Sequence, residues 1–189
     1  MKLHSGLIVM GVLLAAPAAA APETYVIDMP HSFSNFEVGY LGVTSIRGRF
    51  NKTTGTITLD RAGKTGSIEA EIDVTTIDTG YTRRDELLRT ENYFNASAFP
   101  NMTFRSKNLR FNGDNLVGAD GELTLLGVTR PVSLELVSLT CITHPTNKRE
   151  TCGAVASGTF RRSEFGMTRA SKSIGDDIRV FINIFAYKN

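Results

Sequence analysis

The sequence contains no tryptophan, only two cysteines and only three histidines. It has no histidine pair at the spacing of metal ligands, no Gly-x-Ser-x-Gly elbow and no phosphate-binding loop. These absences argue against the common metalloenzyme, serine hydrolase and nucleotide-binding classes. The sequence therefore predicts no catalytic residue, no metal ion and no cofactor.

The sequence also lacks a large excess of charge of either sign. The formal net charge is +2, whereas a nucleic-acid partner demands a concentrated cationic surface. Electrostatic attachment to an anionic membrane is poorly supported for the same reason. We expect no nucleic-acid partner.

The N-terminus carries the longest apolar run, LIVMGVLLAAP, behind the short basic start MKLHSG. That run is too short to span a bilayer, and no cysteine follows it for lipidation. Ala18, Ala19 and Ala20 supply the small residues of a signal-peptidase site. We predict a secretory signal peptide at residues 1–20, a single mature domain at 21–189, a periplasmic location and no stable membrane anchor.

Both cysteines, Cys141 and Cys152, flank the polar loop ITHPTNKRET between two strand-like runs. In an oxidising compartment, cysteines placed opposite each other in a hairpin form a disulfide. A metal site is the alternative, with His144 as its nearest further ligand.

Alternation of apolar and polar residues dominates from Tyr25 onward. In SIEAEIDV, apolar side chains from Ile68 to Val74 share one face, which is typical of a half-buried antiparallel strand. Asn112-Gly113 predicts a hairpin, and Asp120-Gly121 predicts a bulge or a tight bend. Counting such runs gives eight or more strands, which fit a β-sandwich or a barrel.

Long strands and internal glycines favour the barrel, because a sheet must coil sharply to close; these glycines are Gly48, Gly118, Gly121 and Gly158. Small residues from Gly153 to Gly158 leave volume unfilled if they face inward. The predicted fold is all-β, a lipocalin-like eight-stranded antiparallel β-barrel with one short helix capping its mouth.

The helix is predicted in TGYTRRDELLRTENYFNASAFP, from Thr79 to Pro100. Thr82 and Asp85 have the spacing of a capping box, and Leu87 and Leu88 form an apolar stripe. The composition indicates a lid more than a catalytic centre.

Five blocks, in order, resemble the YceI-like family: YVIDMPHSFSNFEV, GRF, the Thr79–Ser106 block, GELTLLGVTRPV and RRSEFGM. The resemblance covers essentially the whole mature chain. It implies an exported lipocalin-like barrel that binds long-chain isoprenoid or fatty lipids. Two positions depart from the family pattern, since Tyr40 and Leu87 stand where histidines are usual.

We therefore expect a carrier that holds an apolar lipid without covalent chemistry. The residues predicted to form its cavity and lid are Phe36, Val38, Tyr40, Ile72, Leu87, Leu88, Tyr93, Phe94, Met102, Phe104, Leu123, Leu125, Leu134 and Ile182. Two alternatives stay open: an enzyme that uses His31 or Arg84 on a lipid-like substrate, and an interaction module with a solid core. A homodimer is compatible with the sequence.

Overall fold

The computed structural model describes residues 21–189, in which the backbone forms eleven β-strands and one α-helix. The elements are β1 Glu23–Ile27, β2 Phe33–Tyr40, β3 Thr44–Phe50, β4 Thr53–Asp60, β5 Thr65–Asp73, β6 Ile77–Asp78, α1 Thr82–Arg89, β7 Asn101–Asn112, β8 Asn115–Leu125, β9 Val128–Thr143, β10 Glu150–Arg161 and β11 Ile174–Lys188. Short 3-10 helices lie at Met29–His31, Val74–Thr76 and Arg162–Phe165. The predicted signal peptide lies outside the described residues.

None of the helices in residues 21–189 has the length and hydrophobicity needed to cross a bilayer.

The strands form one antiparallel sheet that closes on itself. β11 pairs with β2 from Ile174 to Asn183 and with β1 from Ala186 to Lys188. β1 and β2 thus occupy one position in the barrel, and β3 and β4 share the next, because β3 pairs with β2 and β4 with β1. Together with β5, β7, β8, β9, β10 and β11 they make eight positions, which confirms the predicted eight-stranded barrel.

The change of partner along β11 occurs at the 3-10 helix Met29–His31. Ser32, the residue after this helix, is fully buried. Its hydroxyl group accepts a hydrogen bond from the Phe185 N–H at 3.1 Å and donates one to the Phe185 carbonyl at 3.2 Å. These two bonds of Ser32 hold the turn against β11, while the His31 ring bonds to Asp28.

The ladder contains several register shifts, two of which change the residues that face inward. The register between β9 and β10 shifts at Val155/Ala156, which leaves Val137 without an opposing residue and 65% exposed. A second shift lies in β7 between Arg105 and Asn108. The sequence predicted a bulge or a tight bend at Asp120-Gly121. The extra residue lies in the facing strand, β7.

Gly121 itself is required by close approach, since a Cβ atom there would lie 2.5 Å from the Arg105 carbonyl oxygen. The Asn112-Gly113 hairpin is confirmed: it joins β7 to β8, with Gly113 in a left-handed conformation at φ +60°.

Helix α1 is where the sequence predicted it, but the capping box is wrong. Thr82 is the first helical residue, and Tyr81 before it makes no side-chain capping bond. The buried Asp85 carboxylate instead accepts the N–H and the hydroxyl of Thr79. Gly80, at φ +74°, turns the chain so that Thr79 lies beside the helix.

The disulfide between Cys141 and Cys152 is confirmed. The two residues face each other across β9 and β10, with Cα atoms 4.0 Å apart. It closes the polar loop into a short ring beside the barrel end that contains Tyr25.

Replacing both cysteines by serine should lower the free energy of unfolding by about 3 kcal/mol, the loop-closure entropy for a ring of this length. Urea unfolding of the oxidised protein and of the double variant measures the difference. The wild-type protein with its disulfide reduced serves as the control and should match the variant. A loss below about 1 kcal/mol would contradict the entropic account.

Candidate functional site

The barrel encloses a cavity of about 970 Å³. Alternate residues of each barrel strand point into it, as the pleat of a β-strand requires. Most of its wall is apolar, supplied by leucine, isoleucine, valine, alanine, phenylalanine and methionine side chains. This volume and lining are those of a small-molecule site.

All fourteen residues predicted for the cavity and lid line this cavity. Six are buried in its wall, namely Val38, Ile72, Met102, Phe104, Leu123 and Leu125, and Leu134 beside them is half-buried. Phe36, Ile182, Leu88, Tyr93 and Phe94 are also half-buried. Tyr40 and Leu87, which replace the histidines of the resemblance, are exposed at one end.

The small-residue run leaves space on the inner face. Ala154 and Ala156 line the cavity, whereas Val155 between them is not part of the lining. Ala156 lies between Leu136 of β9 and Ile182 of β11 in the sheet. Larger side chains at these two alanine positions would fill the middle of the barrel.

We call the end of the barrel beside α1 the mouth, because lining residues there are exposed to solvent. Tyr81 is 57% exposed and Leu87 48%. Opposite them, Tyr40 and Ser173 line the cavity, and the Ser173 carbonyl accepts the N–H of Leu41 at 2.7 Å. A ligand can enter the cavity between these two sides.

Helix α1 and the turn that follows it, as far as Phe94, form a cap over part of the mouth. Hydrogen bonds and aromatic packing hold this cap in place. Arg89 at the end of α1 donates to the carbonyls of Thr75 and Ile77, each at 2.8 Å. The Phe94 ring meets Phe50 edge-on at 5.5 Å. Leu88 and Phe94 pack on a core cluster that includes Phe165, so the inner side of the cap belongs to the hydrophobic core.

The opposite end, which we call the closed end, carries a charged network around the buried Tyr25. The buried Tyr25 hydroxyl lies 2.7 Å from Glu150 Oε1 and 2.9 Å from Glu23 Oε2. Lys188 Nζ bonds to both carboxylates, and Arg61 pairs with Glu23 at 3.4 Å. Each charge in this network therefore has an opposite charge beside it.

The network shifts the pKa values of its members. Burial, followed by the hydrogen bond to Glu150, raises the pKa of Tyr25 to about 12. The Lys188 hydrogen bond holds the pKa of Glu23 below its ordinary value. Hydrogen bonds from Tyr25 and then Lys188 do the same for Glu150.

Sequence reasoning missed part of the lining. In β7 and β9 the inward-facing residues have even numbers before the bulge, as at Phe104 and Leu134. After the bulge they have odd numbers, so that Leu109 and Leu139 line the cavity. It also missed four arginines in the wall, Arg61, Arg83, Arg84 and Arg162. The sequence suggests Arg84 only as a residue of the enzyme alternative, whereas in the structure it donates to Thr79.

The histidine of the enzyme alternative, His31, is not among the residues that line the cavity. His31 is exposed and bonds to Asp28, and neither residue is in the lining. The described residues place no histidine in the cavity wall.

A closed antiparallel barrel around an apolar cavity defines the lipocalin-like class of small-ligand barrels. Within that class, the chain belongs to the YceI-like family, whose domain model matches residues 25–186. Protein YceI from Escherichia coli O6:H1 is 36% identical over 133 residues, which are 69% of each chain.

Solved structures share the fold. BcnA from Burkholderia cenocepacia superposes with a TM-score of 0.72 at 20% identity, over 84% of this chain and 98% of that one. A polyisoprenoid binding domain from Saccharophagus degradans, implicated in plant cell wall breakdown, gives a TM-score of 0.61 at 17% identity, over 87% and 98% of the two chains.

Lys188→Met should destabilise the barrel at pH 7 and less at low pH. Carboxyl groups with lowered pKa values stabilise the folded state above their unfolded pKa, and that stability is lost as the pH falls through the folded pKa. The difference between wild type and variant should therefore be largest at pH 7 and shrink below about pH 4.5, the ordinary glutamate pKa. Urea unfolding across this pH range measures it.

Lys107→Met is the matched control, because Lys107 is exposed and forms no ion pair within residues 21–189. It should leave the pH dependence unchanged. An equal loss for Lys188→Met at pH 7 and pH 3 would show that the two carboxylates do not contribute through their pKa values.

Proposed function

We propose that this protein is an exported, periplasmic carrier that holds a long-chain apolar lipid, of polyisoprenoid or fatty-acyl type, non-covalently in its barrel. The observation that carries the proposal is the cavity of about 970 Å³ with its apolar wall. Such a cavity suits a ligand that gains free energy mainly by leaving water.

The energetics of a lipid tail support this assignment. Burying one methylene contributes about 0.8 kcal/mol, so a tail of about sixteen carbons offers roughly 13 kcal/mol. Micromolar affinity requires about 8 kcal/mol after ordering has been subtracted. Non-covalent contacts with the wall are sufficient, and the proposal assigns no catalytic residue.

The polyisoprenoid-binding name of the Saccharophagus degradans domain supports a lipid ligand by analogy of fold. A role in the transport of isoprenoid quinones or in a stress response would use the same cavity. Ala154 and Ala156 lie among larger inward side chains, which leaves an empty cavity in place of a filled core.

We also propose that the residues of the cap, Leu87, Leu88, Tyr93 and Phe94, retain the ligand. Leu88 and Phe94 pack on the core cluster, whereas Leu87 is 48% exposed while lining the cavity. Leu87 is therefore the cap residue that can be changed without disturbing the core.

Ala156→Phe should abolish most lipid binding while the fold is retained. If the phenyl ring displaces two methylene groups of a tail, at about 0.8 kcal/mol each, affinity falls at least about tenfold. Displacement of a fluorescent fatty acid or isoprenoid from delipidated protein measures the affinity. Val155→Phe is the control on the same strand, since Val155 is outside the lining; equal affinities of the two variants would contradict a ligand in this cavity.

Leu87→Ala should speed ligand release about fivefold, because about 1 kcal/mol of apolar contact at the mouth is removed. Stopped-flow transfer of a fluorescent fatty acid to acceptor vesicles measures the release rate. Leu41→Ala removes another exposed leucine at the same end that does not line the cavity. If both variants release ligand at the same rate, Leu87 does not retain it.

A further inference from the structure

The charged residues of the cavity wall all have the same sign. Four arginines line the cavity, and within residues 21–189 no aspartate, glutamate, lysine or histidine lines it. A carrier of neutral hydrocarbon gains no binding energy from cations in its wall, and burying a charge is costly unless it is paired and hydrogen-bonded.

Arg162 is the most constrained of the four. Its side chain is 3% exposed at the start of the 3-10 helix that follows β10. The guanidinium donates to four backbone carbonyls, those of Met167, Arg169, Ile174 and Gly175, at 2.6 to 3.1 Å. Five N–H groups are available on an arginine, so one remains free.

Carbonyl oxygens satisfy these donors but do not neutralise the positive charge. Within the described part of the chain, no carboxylate lies within 4.0 Å of the Arg162 guanidinium. A buried cation ordinarily has a paired anion. The structure thus holds a buried positive charge against the cavity without an anion of its own.

Arg83 and Arg84 bring two further cations to the mouth. Arg84 donates to the hydroxyl and carbonyl of Thr79 at 2.7 and 2.8 Å, which fixes its guanidinium and leaves three N–H groups free. Neither arginine forms an ion pair with a described residue. Arg61, at the closed end, differs because it pairs with Glu23.

We propose that the ligand is an amphiphile with an anionic head group, a carboxylate or a phosphate, and that Arg83, Arg84 and Arg162 receive this group at the mouth. The inference rests on the proposed lipid carrier and names the class of its ligand. Arg83 and Arg84 have enough free N–H groups to bind either anion through paired donors, and Arg162 adds its one free N–H. Hydrogen bonds to a charged group are stronger than neutral ones.

Two ligand pairs with identical tails test the proposal on delipidated wild-type protein at pH 7.5. Palmitate is compared with methyl palmitate, and geranylgeranyl phosphate with geranylgeraniol, by displacement of one neutral fluorescent probe. The anionic member should bind at least about tenfold more tightly in one pair. The pair that discriminates identifies the head group as carboxylate or phosphate.

The double variant Arg83→Gln/Arg84→Gln should remove most of this preference, by about tenfold, and leave the affinity for the neutral member unchanged. Arg130→Gln is the matched control, since Arg130 is exposed at the same end and lies outside the lining. Arg162→Gln is tested with its circular dichroism spectrum and unfolding midpoint; a folded variant should also lose the preference.

Equal binding of the anionic and neutral members in both pairs would overturn the anionic head group and leave the lipid carrier intact. An unchanged preference in the Arg83→Gln/Arg84→Gln variant, or an equal loss in Arg130→Gln, would overturn the assigned residues. If no member of either pair binds, the lipid carrier itself fails.

Discussion

Closure of the barrel by β11 is the constraint on which the structure depends. This single strand serves two partners, β2 along its first part and β1 at its end. The chain must therefore interrupt its extended conformation between β1 and β2, and the 3-10 helix Met29–His31 is this interruption. Ser32 satisfies the Phe185 N–H where the partners change, and an unpaired buried amide there would be destabilising. Every other strand takes its register from this closed ladder.

The cavity follows from closure together with the size of the inward residues. Eight strands enclose a space that side chains can just fill. Large side chains narrow the ends, with Phe165 and Met167 in the cluster at the mouth and Tyr25 and Leu59 in the cluster at the closed end. Between them, Ala154 and Ala156 leave volume empty. The cavity is therefore a consequence of residue size along β10.

Most of the fold could be predicted from strict alternation, which placed Phe36, Met102 and Ile182 on the inner face, because a strand repeats every two residues. The prediction failed where a bulge changes the parity, as at Leu139, since nothing in the local sequence marks Val137 as the extra residue. The capping box failed for another reason. The sequence spacing suggested Thr82 as the partner of Asp85. In the folded chain Asp85 instead accepts the N–H and the hydroxyl of Thr79, which the fold brings together beside it.

The two ends of the cavity differ in whether their charged side chains have partners of opposite charge, and this difference favours one orientation of the ligand. At the closed end Glu23, Glu150 and Lys188 satisfy one another, so an entering anion would compete with carboxylates already in place. At the mouth the guanidinium groups have only neutral partners. In the proposed carrier, the apolar tail therefore lies toward Tyr25 and the polar end of the ligand stays at the mouth. Desolvation reinforces this orientation, because a head group held at the mouth keeps part of its water while the tail loses all of its own.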